Sequence, residues 1–94
     1  MPMPNDIPQE TRLKGNSENI YTDSIMIDYD LSEDSHVSVK ICDISGRVVV
    51  TLVDEFQTAG SRSVQFRINT IPKGTYFSRM EVPGYSAQKL LLLK

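Results

Sequence analysis

The feature that most constrains this chain is its alternation of apolar and polar side chains in short runs broken by turn residues. Ile25, Ile27, Tyr29 and Leu31 alternate with Met26, Asp28 and Asp30, the pattern of a strand with one buried face. Val37, Val39 and Ile41 repeat it against Ser38, Lys40 and Cys42, as do Val64, Phe66 and Ile68 against Ser63, Gln65 and Arg67. Tyr76, Met80 and Val82 share one parity, with Phe77, Arg79 and Glu81 on the other. Between the runs lie Ser32-Glu33-Asp34-Ser35, Asp43-Ile44-Ser45-Gly46, Thr58-Ala59-Gly60-Ser61, Ile71-Pro72-Lys73-Gly74 and Pro83-Gly84, all turn-forming clusters. No window carries an apolar 3.6-residue repeat with caps, so essentially no helix is predicted. Six or seven short strands at this spacing predict an all-β antiparallel sandwich. The run from Arg47 to Val53 contains three consecutive valines, Val48 to Val50, and its inward parity stays open.

A core of Ile27, Tyr29, Val37, Val39, Ile41, Leu52, Val64, Phe66, Tyr76 and Met80 follows from the alternation. The chain is 94 residues long, 39% hydrophobic and 23% charged, which suits one small folded domain and excludes wholesale disorder. Its single cysteine cannot form an internal disulfide, so packing alone must hold the fold. Residues 1–12 hold three of the five prolines and a polar stretch, and are expected to form a flexible arm or linker. The domain proper is placed at 13–94. The opening Met1-Pro2-Met3-Pro4-Asn5 has neither the basic start nor the apolar stretch of a secretory signal, so the ordinary N-terminal export route is not expected from this segment.

Chemistry finds little footing. Ten basic against twelve acidic side chains without a basic cluster give nucleic acid nothing to bind. His36 and Cys42, the candidate base and nucleophile, sit six residues apart on one strand, about 20 Å at roughly 3.3 Å per residue. A working pair must approach to about 3 Å. Asp28 and Asp30 share an outward face about 7 Å apart, but a flat solvated face offers no cleft to tune their pKa values. Calcium would need a loop spacing that is absent here. One His and one Cys make a zinc site within the chain implausible. No phosphate-cradling glycine motif occurs, and no tryptophan supplies a sugar-binding platform. We expect no catalytic residue, no cofactor and no metal site, hence no enzyme.

The chain's end is more informative. Leu90 to Leu93 stand between Lys89 and Lys94, placing apolar side chains on both faces of a final strand. Such a strand is either buried on both sides or presents a face or edge to a partner.

Taken in order, these motifs resemble the type IX secretion system C-terminal sorting domain. The resemblance is carried by Ile25 to Leu31, Val37 to Ile41, Asp43-Ile44-Ser45-Gly46-Arg47-Val48-Val49 and Thr51-Leu52-Val53. It continues through Ala59-Gly60, Val64-Gln65-Phe66 and Ile71-Pro72-Lys73-Gly74-Thr75-Tyr76-Phe77, and closes on Gln88 to Lys94. Asp-x-x-Gly-Arg, then Gly-x-Tyr, then a Lys-apolar-Lys end form the most specific combination, over residues 13–94. Two places depart from the family: Asn16-Ser17-Glu18-Asn19-Ile20 lacks the prolines of its usual opening segment, and Arg67 stands where an acidic residue is common.

The resemblance implies an Ig-like sandwich that acts as a non-catalytic sorting signal on exported proteins of Bacteroidetes-type bacteria. It directs a fused upstream cargo across periplasm and outer membrane to the cell surface or medium. The implied partners are the type IX translocation machinery and its C-terminal signal peptidase; no oligomeric state follows. Gly74, Tyr76, Lys89, Leu91, Leu92, Leu93 and Lys94 are the implied partner-binding positions, and Asp43, Gly46, Arg47 and Gly60 the turn-forming ones. The alternative is a structural or adhesive Ig-like module of the flagellar hook-cap kind.

Overall fold

In a computed structural model, residues 7–19 and 21–94 are described. Among these residues seven strands follow in order: β1 (Arg12–Asn19), β2 (Ser24–Leu31), β3 (Ser35–Asp43), β4 (Val48–Gln57), β5 (Gly60–Arg67), β6 (Gly74–Val82) and β7 (Tyr85–Leu93), with a 3₁₀ turn at Ile68–Thr70. They form two antiparallel sheets, β1-β2-β5 and β4-β3-β6-β7. The fold is the expected small all-β sandwich.

The period-two reading places the core correctly. Ile25, Ile27, Tyr29 and Leu31 of β2 face Val37, Val39 and Ile41 of β3, with Phe66, Tyr76 and Met80 closing the layer. Fully burying each such large side chain is worth about 1.5–3 kcal/mol. Leu52 and Val64, expected in the core, are partly buried against it. Leu13, Leu91 and Leu93 complete it from the edge strands β1 and β7.

The ambiguous valine run has a physical explanation. Val39 pairs Val53 but Lys40 pairs Thr51, and Ile41 pairs Val50 but Cys42 pairs Val48. Leu52 and Val49 are therefore extra residues at two irregularities, each of which shifts the parity of β4. The following turn is tight: Asp43 Oδ1 accepts the N–H groups of Ser45 and Arg47, both at 3.0 Å, and the Ser45 hydroxyl at 2.7 Å. Gly46 sits at φ 91°, a conformation that a Cβ disfavours.

β1 was not legible as a strand. Its sequence Arg-Leu-Lys-Gly-Asn-Ser-Glu-Asn offers one buried side chain, Leu13, and a register shift between Leu13 and Gly15. It holds as an edge strand through backbone pairing with β2 and through long-range polar contacts. Half of the expected arm, residues 1–6, lies outside the described residues. Thr11, within its remainder, is hydrogen-bonded to Ser32.

Candidate partner-binding edge

Pairing of β6 with β7 gathers most of the residues read as partner-binding. Leu93 lies opposite Gly74, Leu92 opposite Thr75, Leu91 opposite Tyr76 and Lys89 opposite Ser78. Asp43 pairs Tyr76 from the other side, so the Asp43–Arg47 turn stands at the same end of the sheet. Gly60 does not join them: it pairs Leu31 at the opposite end of the sandwich. Lys94 follows the last strand directly.

The four leucines divide strictly by parity. Leu91 and Leu93 are buried, while Leu90 and Leu92 are 55% and 49% exposed. Leu91 and Leu93 therefore anchor the strand, and the side chains free to meet a partner are Leu90 and Leu92. Tyr76 is an anchor too: its ring is buried and its hydroxyl donates to the Pro72 carbonyl at 2.6 Å.

β7 is the outermost strand of its sheet. The Leu90 carbonyl accepts from Asn16 Nδ2 at 2.9 Å, so it points away from β6. Antiparallel pairing alternates inward and outward backbone groups, which leaves Gln88, Leu90 and Leu92 presenting N–H and C=O outward. Asn16 is the clasp between the two sheets here, since its Oδ1 also accepts the Ser78 hydroxyl at 2.8 Å. The Tyr85 hydroxyl accepts the Leu13 N–H at 3.0 Å. Beside the clasp runs an open groove of about 310 Å³ lined by Ser17, Glu18, Ile25, Leu90, Leu92 and Lys94 among others. The sequence signalled neither the clasp nor the exposed Leu90: the clasp depends on a contact 74 residues apart, and the exposure of Leu90 on the register of β7 against β6.

The remaining candidate groups are occupied elsewhere. His36 is exposed, with Nε2 2.6 Å from Asp54 Oδ1. Cys42, expected half-exposed, is 0% exposed, because Val48 and Phe77 flank it across the sheet. Asp28 accepts from the Ser63 hydroxyl at 2.6 Å. Asp30 is not the solvated carboxylate expected: it is 5% exposed, accepts from Ser61 Oγ and Arg12 Nε, and has Lys14 3.7 Å away. Burial pushes its pKa up, but the bonds from Ser61 and Arg12 and the charges of Lys14 and Arg12 outweigh that and hold it below the ordinary value. The Ser45 hydroxyl and the Arg47 N–H hold the Asp43 carboxyl low as well. Burial raises the Tyr29 phenol, against the bond to Gln57. Among the described residues no three His, Cys, Asp or Glu side chains could jointly hold a metal ion. Among the described residues no helix is long and apolar enough to cross a membrane.

The sandwich, the Asp-x-x-Gly-Arg turn and the leucine-rich edge strand together agree with one family. The family model described as "Secretion system C-terminal sorting domain" matches residues 19–94, everything from the end of β1 onward. No curated protein matches the chain. The match supports the sorting domain and not the hook-cap module. The family is non-catalytic in general, works with the type IX machinery on an attached cargo, and implies secretion or display at the cell surface. The chain belongs to the type IX secretion system C-terminal sorting domain family, and its function is that of a sorting signal for type IX secretion.

Proposed function

We propose that the translocation machinery reads this domain by adding a strand along the outer edge of β7, displacing Asn16 from the Leu90 carbonyl. The observation that carries this reading is the outward pair Leu90 and Leu92 on a strand whose alternate backbone groups face away from β6. Backbone pairing would supply affinity, and the two leucines, entering alternate pockets, specificity. Leu91, Leu93, Tyr76 and Gly74 act by holding the strand, while Lys89 and Lys94 border it and keep an unpaired edge soluble. Asp43, Gly46, Arg47 and Gly60 shape the turns. In this reading residues 1–12 link the domain to its cargo, the cargo passes from the periplasm across the outer membrane, and a C-terminal signal peptidase then removes the domain. The chain itself performs no reaction.

The test is a reporter fused ahead of residues 13–94 in a host with type IX machinery. Deleting Leu92 to Lys94 should abolish surface display. Because that deletion also removes the buried Leu93, Leu92→Pro is the companion variant. It deletes one outward N–H while sparing the ladder to β6, a place where proline is tolerated. Display that survives both changes would overturn the edge reading.

A further inference from the structure

The outer faces of the two sheets are dressed differently. On β2-β5, Asp28 lies opposite Ser63 and Asp30 opposite Ser61; both carboxylates accept those hydroxyls, and Arg12 and Lys14 lie within ion-pair distance of Asp30. Both carboxylates are thus satisfied within that face. On the other sheet Val48 pairs Cys42, Cys42 pairs Phe77 and Phe77 pairs Leu90. Directly opposed residues project to the same side, so these four form one apolar row across all four strands. It is about 15 Å long at roughly 4.8 Å between strands. Val48 is 49% exposed despite this company.

Basic side chains border the row. The next row contains Lys40 opposite Arg79, and Arg47 directly precedes Val48. A Cβ built on Gly46 would lie 4.0 Å from an Arg79 guanidinium nitrogen, so Arg79 reaches toward that turn. The acids of this face are engaged further along it: Glu81 pairs Lys40 at 4.0 Å and Asp54 pairs His36. Among the described residues neither Arg47 nor Arg79 has an ion-pair partner.

We infer that this face, Val48, Phe77 and Leu90 lying over the buried Cys42 with Arg79 beside them, is a second docking surface, occupied by a protein segment that presents apolar side chains next to carboxylates. The inference rests on the sorting reading and extends it, since Leu90 belongs to both the row and the β7 edge. Charge complementarity selects the occupant. An apolar row alone would accept many surfaces, but the Arg79 guanidinium, which has no ion-pair partner among the described residues, favours an acidic neighbour. A second copy of this chain fits poorly: if two copies met row against row about a twofold axis along the row, each Arg79 would lie over Thr75 of the other copy rather than over an acid.

The test places every change outside β7. Arg79→Glu combined with Val48→Ser should lower reporter display by about tenfold or more, since a like charge set against a carboxylate costs several kcal/mol. Arg67→Glu, the same charge change on the other sheet, should leave display unchanged. Thermal melting of each purified domain checks that the variants fold. For a readout independent of their folding, a photo-cross-linking amino acid replaces Val48, and the captured peptide is sequenced. A segment with Asp or Glu within about three residues of its apolar contact is the expected result. Capture of lipid, of a second copy or of a segment lacking acids would overturn the inference, as would normal display of the double variant. If that variant is displayed normally while Leu92→Pro is not, the face is discarded and the edge reading stands. If neither loses display, both fall.

Discussion

Removing the side chain of Asn16 tests whether the clasp couples the two sheets. Asn16 donates to the Leu90 carbonyl and accepts from the Ser78 hydroxyl, and Ser78 is fully buried. Without Asn16 the hydroxyl keeps only the Lys89 carbonyl at 3.5 Å, the outer limit of a hydrogen bond. A buried hydroxyl left nearly unpaired costs about 1–3 kcal/mol, and the lost exposed bond to Leu90 about 0.5–1 kcal/mol. Asn16→Ala should therefore destabilise the domain by about 2–3 kcal/mol, a large share of the roughly 5–15 kcal/mol that such domains hold. Its midpoint would fall by about 10 °C or more, given about 4–8 °C per kcal/mol at this size. Ser78→Ala alone should cost about 1 kcal/mol, because the amide oxygen left behind is partly exposed and can bond water. In the double variant the orphaned hydroxyl no longer exists, so the cost should be smaller than the sum by about 1 kcal/mol. Urea unfolding of the four proteins, followed by circular dichroism, completes the cycle. Costs that add to within about 0.5 kcal/mol would show that the two side chains act independently and refute the clasp.

Two further outcomes follow from the packing and the charges. Phe66→Ala should cost about 3–5 kcal/mol through transfer and cavity terms, leaving a domain marginal at room temperature in urea titration; a loss under about 1 kcal/mol would contradict its place in the core. Asp30 has a folded pKa below 3.8, so its contribution is complete above that value and disappears as pH falls through the folded pKa. Stability measured from pH 6 to pH 2 should decline more gently in Asp30→Asn than in the parent, and parallel curves would refute the role given to its Arg12, Lys14 and Ser61 contacts.

Recognition through an edge and an adjoining face would suit a sorting domain. The edge contributes backbone groups that any sequence can pair, whereas the Arg-bordered row would select by charge. Leu90 is common to both surfaces, and Leu91 and Leu93 fix its position from beneath.

What the sequence determined alone is whatever repeats within a few residues. Period-two alternation marked β2, β3, β5 and β6 and the inward identity of Ile27, Tyr29, Val39, Ile41, Phe66 and Met80, because pleating is a property of each strand by itself. Asp43 and Gly46 were readable for the same reason, their bonds closing within four residues. Tertiary structure decided the rest. β1 carries almost no apolar signal and exists because β2 offers it an edge; β4 lost its parity to two irregularities against β3. The split of the four leucines depends on which of them meets Tyr76. Cys42 is buried by cross-strand neighbours, and Asp30 by residues of β1 and β5. Each of these rests on pairings between segments distant in the chain, and local periodicity carries no record of which strand will lie alongside.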